Sequence, residues 1–255
     1  MIRLKTTQDI KRIAESGRIL SEILFELLRN SKPGVSLIYL EKLARKLFKK
    51  YKAKPAFLGF KPDGGPAYPA TICTSVNEQV VHGIPSRYVL KSGDILTIDS
   101  GINYKNYFAD AAYTIGIGKI SPIAEKLIAA TRKSLENAIK QAKPSNRLGD
   151  IGFTIQETIE NEGFSVVKEL CGHGVGYQLH EQPQVLNFGQ KNSGGKLLCG
   201  MVLAIEPMAC TGCGRVKQLK DGTFVTIDNS LSAHFEQTIA VTRDGPIVLT
   251  PYLKL

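Results

Sequence analysis

Helical periodicity opens the chain. After the capping sequence Thr6-Thr7-Gln8-Asp9, the residues Ile10, Ile13, Ala14, Leu20, Ile23, Leu24, Leu27 and Leu28 recur on one helix face. Pro33-Gly34 predicts the end of that helix. A second amphipathic helix is predicted from about Leu37 to Lys50, with Leu40, Leu43, Ala44, Leu47 and Phe48 on its apolar face. Gly59 to Pro69, rich in Gly and Pro, predicts a loop. From Ile72 the texture changes to short strands. Gly93–Asp99 and Phe108–Ile117 read as two strands around a turn at Lys105-Asn106. Ser121-Pro122 opens a third helix with proline at its first position. A fourth runs from about Leu148 to Glu162 and stops at Gly163, after which strand texture returns.

The pattern contains an internal echo. Gly93-Asp94-Ile95-Leu96-Thr97-Ile98-Asp99 and Gly200-Met201-Val202-Leu203-Ala204-Ile205-Glu206 share a glycine, an apolar run and a closing carboxylate. Each follows a predicted helix pair, as duplicated halves would leave it. No Pro/Ser-rich linker separates the two, so residues 1–255 are expected to form one domain of two related halves.

Composition narrows the function classes. Hydrophobic residues make up 43% and charged residues 22%, ordinary for a globular protein. No apolar run reaches membrane-span length, and no apolar region follows the charged start, so a cytoplasmic protein without a secretory signal is expected. Five cysteines form an odd set, mostly in apolar segments, which predicts reduced thiols. Cys210 and Cys213 form one CxxC without a second ligand pair at zinc-site spacing, so they are read as core or turn thiols. Charge is uneven: residues 1–60 hold 14 Lys and Arg against 5 Asp and Glu. That bias fits an anionic partner such as RNA and fits equally a solvated helical face.

The chemistry lies in the carboxylates. Asp99 and Glu206 close apolar runs, and Asp110 and Glu236 sit within strand-like segments. A buried carboxylate is costly unless it is paired, hydrogen-bonded or metal-bound. If the four converge, either some take protons or cations lie between them. Two divalent ions about 3.5–4 Å apart would balance four carboxylates. Of the four histidines, His82, His173 and His180 lie in Gly- or Pro-flanked segments that suit close approach to a site. His234 lacks that context and is expected to be a surface or strand residue.

The segments Val81-His82-Gly83-Ile84-Pro85, Leu96-Thr97-Ile98-Asp99, Ala109-Asp110, Gly172-His173-Gly174-Val175-Gly176, His180-Glu181-Gln182-Pro183-Gln184-Val185, Ala204-Ile205-Glu206-Pro207 and His234-Phe235-Glu236-Gln237-Thr238 together resemble the type I methionine aminopeptidases over nearly the whole chain. The resemblance implies an α/β (α+β) pita-bread fold, with pseudo-twofold halves around a curved antiparallel sheet. It implies two divalent ions (Co, Mn, Fe or Zn) and removal of the initiator methionine from nascent polypeptides, favouring a small second residue. By that resemblance Asp99 would bind one ion, Asp110 and Glu236 would bridge, and His173 and Glu206 would complete the second. His82 and His180 would touch substrate, Glu206 would shuttle the proton, and Tyr68, Cys73, Leu179 and Phe224 would form the methionine pocket. Leu179 and Phe224 depart from the family's usual aromatic and tryptophan, and the 59–69 loop looks longer than usual. A monomer is implied, and residues 1–60 would suit ribosome contact.

Three rival readings fit less well. Pita-bread peptidases that cleave before proline carry a sizeable extra N-terminal domain, whereas about 80 residues precede His82 here. Non-catalytic RNA- or protein-binding relatives lose metal ligands, and all five stand in this chain. Type II methionine aminopeptidases insert a helical segment between the histidine ligand and the next glutamate. Only 32 residues lie between His173 and Glu206.

Overall fold

The computed structural model describes residues 2–61 and 66–252, so the loop expected over 59–69 lies partly outside the described residues. Its neck is described: Gly59 N–H donates to the Tyr68 carbonyl at 2.9 Å, and Tyr68 N–H to that of Phe60 at 2.8 Å.

The four predicted helices form where the periodicity places them. Helix α1 (Thr7–Asn30) starts on a reciprocal capping box between Thr6 and Asp9 and ends before Pro33. Helix α2 (Leu37–Lys50) is capped by the Ser36 hydroxyl. Ser121 caps α3 (Pro122–Gln141), and α4 (Leu148–Asn161) ends ahead of Gly163, whose φ of 84° is the left-handed conformation that glycine adopts without strain. Leu20, Ile23, Leu24 and Leu27 of α1 are fully buried. Each such side chain contributes roughly 1.5–3 kcal/mol relative to exposure.

In the first half of the chain the strands are β1 (Lys54–Pro55), β2 (Cys73–Val76), β3 (Gln79–Val81), β4 (Ile95–Tyr104) and β5 (Tyr107–Gly116). After α4 come β6 (Ser165–Val166), β7 (Cys171–Gly174), β8 (Glu181–Leu186), β9 (Val202–Ile205) and β10 (Met208–Cys210). The chain then forms β11 (Val216–Gln218), β12 (Phe224–Thr226), β13 (Ser232–His234), β14 (Glu236–Thr242) and β15 (Gly245–Val248).

Nine of these make one sheet along the path β1-β4-β5-β14-β9-β7-β8, with β2 added on β4 and β15 on β14. All of its pairings are antiparallel. The centre of the path shows the duplication. Strands β4 and β5 pair antiparallel, β9 and β14 pair antiparallel, and the two pairs meet at β5–β14. The echoed segments therefore occupy equivalent places, each one strand out from the central seam and each preceded in the chain by a helix pair. Helix α1 packs on β4 and β5, and α3 on α4 and on strands of the second half. One strand limit differs from the sequence reading: Asp99 does not close its strand, because β4 continues to Tyr104 in unbroken register with β5.

Candidate metal centre and substrate cavity

Strand register places five side chains on one sheet face. Cross-strand partners share a face, as do residues two apart along a strand. Asp99 and Glu236 both face Ala112 of β5, and Asp110 lies two residues from it. Thr238 of β14 and His173 of β7 both pair with Ala204 of β9. Glu236 is two residues from Thr238, and Glu206 two from Ala204. Asp99, Asp110, His173, Glu206 and Glu236 thus converge from the middle strands of the sheet.

The convergence opens where the seam splays. Strands β5 and β14 are in register only at Ala112–Glu236 and Ala111–Gln237. Beyond that point the Thr238 hydroxyl takes over, accepting from Asp110 N–H at 2.9 Å and donating to the Asp110 carbonyl at 2.8 Å. On the opposite edge, Gly172 and Gly174 permit close approach. A Cβ at Gly172 would lie 2.3 Å from the Ala204 carbonyl oxygen, and one at Gly174 2.3 Å from that of Gln182. The glycines flanking His173 are therefore required by the neighbouring strands.

The electrostatics are those of a site built for cations. One ligand atom each of Asp99, Asp110 and Glu236 lies within 4.8 Å of the other two, and the same holds for His173, Glu206 and Glu236. Glu236 belongs to both groups. All four carboxylates are buried, and Asp99 Oδ1 and Glu236 Oε1 have no hydrogen-bond partner among the described residues. Burial raises Asp99 to about 7. Burial first, then neighbouring carboxylates, push Asp110, Glu206 and Glu236 well above their ordinary values.

The His173 Nδ1 lies 2.9 Å from the Gly174 carbonyl. A carbonyl only accepts, so Nδ1 carries the proton and Nε2 offers its lone pair. That lone pair faces Glu206 Oε1 at 3.5 Å and Glu236 Oε1 at 4.0 Å. Burial and then His180 lower the His173 pKa to about 3, so no second proton on this ring relieves the repulsion. Converging lone pairs and orphaned oxygens fit divalent cations with mixed oxygen and nitrogen ligation.

Above the carboxylates lies a cavity of about 820 Å³ that the five residues help line. His82 and His180 both border it. His180 stacks edge-on against Phe60 at 5.0 Å and His173 at 4.4 Å, and it forms a third close group with Asp110 and His173. His82 adopts a left-handed φ of 61°. The surrounding protein and then His180 lower its pKa to about 4.

The apolar wall consists of Phe57, Cys73 and Leu179, with Phe60 and Tyr68 packed against them. The Tyr68 hydroxyl lies 3.2 and 3.0 Å from the carbonyls of Ile72 and Gly83, between which it shares its one proton. The Cys73 thiol is raised by burial and then by Asp99. Tyr68, Cys73 and Leu179 thus lie together on the cavity wall, and Phe224 is not part of that lining. Its pairing with Val81 puts it in a separate cluster with Val80, Val81, Val167 and Met208, edge-on to His82 at 5.7 Å.

Sequence reasoning missed three participants. Phe57 and Phe60 sit in an irregular segment whose spacing marks neither strand nor helix. His234, expected on the surface or a strand, is indeed on β13 but is buried, with Nε2 3.6 Å from Glu206 Oε2. Its place two residues before Glu236 in an apolar strand was the available clue. All five cysteines are free, Cys210 buried and Cys213 exposed, in keeping with thiols rather than a disulfide framework.

The model of metallopeptidase family M24 matches residues 11–243. A methionine aminopeptidase of Clostridium perfringens is 46% identical over 251 residues, covering 98% of this chain and 99% of its own. The crystal structure of methionine aminopeptidase from Thermotoga maritima superposes with a TM-score of 0.93 at 44% identity, covering 98% and 99% of the two chains. The prolidase of Pyrococcus horikoshii, at 22% identity and TM-score 0.78, shares the fold, but the match covers only 64% of that longer chain. The chain belongs to metallopeptidase family M24 and, within it, to the methionine aminopeptidases. The expected pita-bread fold is the fold of this family.

Proposed function

We propose that the protein removes the initiator methionine from new polypeptides at a centre of two divalent ions. Asp99, Asp110 and Glu236 would hold one ion and His173, Glu206 and Glu236 the other. The observation that carries this reading is the pair of close ligand groups sharing Glu236 beneath a cavity with an apolar wall. Five ligands of which four are carboxylates suit Mn, Fe, Co or Zn. We take residues 1–255 as a single catalytic domain that works as a monomer in the cytoplasm, where new chains begin.

Bound ions of this kind supply Lewis acidity and an acidified water. The chain's own residues do the rest. Tyr68, Cys73, Leu179 and the flanking Phe57 and Phe60 receive the methionine side chain and exclude water from it. A small second residue is favoured, as in the methionine aminopeptidases the chain resembles. His180 lies over His173, where its ring N–H can donate to the scissile carbonyl oxygen as negative charge develops. His82, which also borders the cavity, contacts the substrate near its amine. Glu206, whose carboxylate is raised by burial, takes the proton from the attacking water and passes it to the leaving amine.

The test is release of methionine from Met-Ala-Ser, activated by added Mn or Co and abolished by a chelator. Preference for cleavage before proline, or turnover that survives chelation, overturns the reading. Of the basic residues in 1–60, all but Lys5 are exposed. We assign this face to ribosomal RNA, and co-sedimentation with ribosomes that is absent or indifferent to salt contradicts that contact.

A further inference from the structure

His234 is the one buried histidine to which the proposed reaction gives no role. Its side chain is 1% exposed, and neither ring nitrogen has a hydrogen-bond partner among the described residues. A buried imidazole left without a partner is costly, so its environment must supply one when the site is complete. The backbone leaves little freedom. His234 N–H donates to Thr114 Oγ1 at 2.9 Å, and its carbonyl accepts from the same hydroxyl at 2.8 Å. Across β10–β13 the residue is in register with Met208, which lines the cavity.

From this fixed position Nε2 points at one oxygen of Glu206. The two oxygens have separate neighbours: Oε1 lies 3.5 Å from His173 Nε2, and Oε2 lies 3.6 Å from His234 Nε2. A closure of about 0.5 Å converts the second approach into a hydrogen bond. The Thr114 hydroxyl that pins His234 is in turn 2.8 Å from Thr97 Oγ1 on β4, so the support runs into the sheet that carries Asp99.

We propose that His234 is a positioning residue for the metal centre: its Nε2–H holds Oε2 of Glu206, so that Glu206 presents Oε1 alone to the ion it shares with His173. Partners of this kind behind a ligand are worth about 10–100-fold in metal affinity. The inference rests on the ligand assignment proposed above, and its test separates the two.

Chelator-stripped protein is titrated with Mn by calorimetry and with Co, whose visible absorption reports ligand geometry. The unaltered chain is expected to bind two ions. His234→Ala should weaken one of them about 10–100-fold, leave the other in place and shift the Co spectrum. His234→Gln, which keeps a donor N–H, should restore most of the affinity and the spectrum. Two ions bound unchanged by His234→Ala, or no rescue by His234→Gln when both variants melt at the temperature of the unaltered chain, overturn the positioning role alone. Failure of the unaltered chain to bind any ion overturns the ligand assignment and this role with it.

Discussion

Removing any bound divalent metal should make the protein's stability depend on pH in a way the metal-loaded protein does not share. With no cation present, burial raises Asp99 from 3.8 to about 7, and Asp110, Glu206 and Glu236 are pushed well above their ordinary values. In the unfolded chain all four ionise near 4. Around neutrality the folded, ion-free protein therefore binds more protons than the unfolded chain. For an acid raised on folding, stability falls as pH rises toward the folded value. One extra proton gives a slope of about 1.4 kcal/mol per pH unit. Going from pH 8.5 to 7.0 should then stabilise the stripped protein: Asp99 alone, half protonated at pH 7, contributes about 0.4 kcal/mol, about 1 °C in Tm for a chain of this size, and the other three carboxylates add in the same direction.

Bound Mn keeps the carboxylates ionised and removes that dependence. His173 and His234, lowered by burial, lose stability on acidification, but above pH 7 they contribute little and do so equally in both samples. The raised thiols of Cys73, Cys171 and Cys210 likewise act alike in both. The assay is calorimetric melting of chelated and Mn-saturated protein at the two pH values. Identical pH dependence in both samples would refute the reasoning, because it would mean the four carboxylates carry no extra proton when the ions leave.

Two further predictions follow from neighbouring contacts. His180→Ala should reduce turnover about 100-fold or more while metal content stays intact, read by initial rates and metal analysis. Because His180 also stands close to Asp110 and His173, loss of an ion in that variant would make it a ligand instead. Lys5 forms a buried ion pair with Glu181, whose other oxygen accepts from Tyr177 and Gln178 N–H at 2.7 and 2.9 Å and so fixes the turn that carries Leu179 and His180. Lys5→Met strands that carboxylate and should cost about 3–5 kcal/mol, a Tm loss on the order of 10 °C. An unchanged Tm would show that Glu181 does not need its partner.

Much of this protein follows from local chemistry, and local chemistry is what a sequence carries. The Thr6–Asp9 capping box, the Ser121-Pro122 start and the stop at Gly163 concern residues a few positions apart, so the four helices were legible within a few residues. The cost of burying Asp99, Asp110, Glu206 and Glu236 is a property of their own strands, so the ligand candidates were legible too. The repeated Gly-apolar-carboxylate segment announced two halves, and the sheet places both copies one strand from the seam.

What needed the folded molecule are contacts across long chain separations. That Glu236 is common to both ligand groups depends on the register of β14 against β5 and β9. Pairing with Val81 sends Phe224 behind His82, away from the wall of Leu179 and Cys73. Lys5 reaches Glu181, and His234 reaches Glu206, only because distant strands bring them together. The place of His234 two residues before Glu236 hints at burial without deciding it. Burial is decided by what packs on the strand, and tertiary structure alone supplies that.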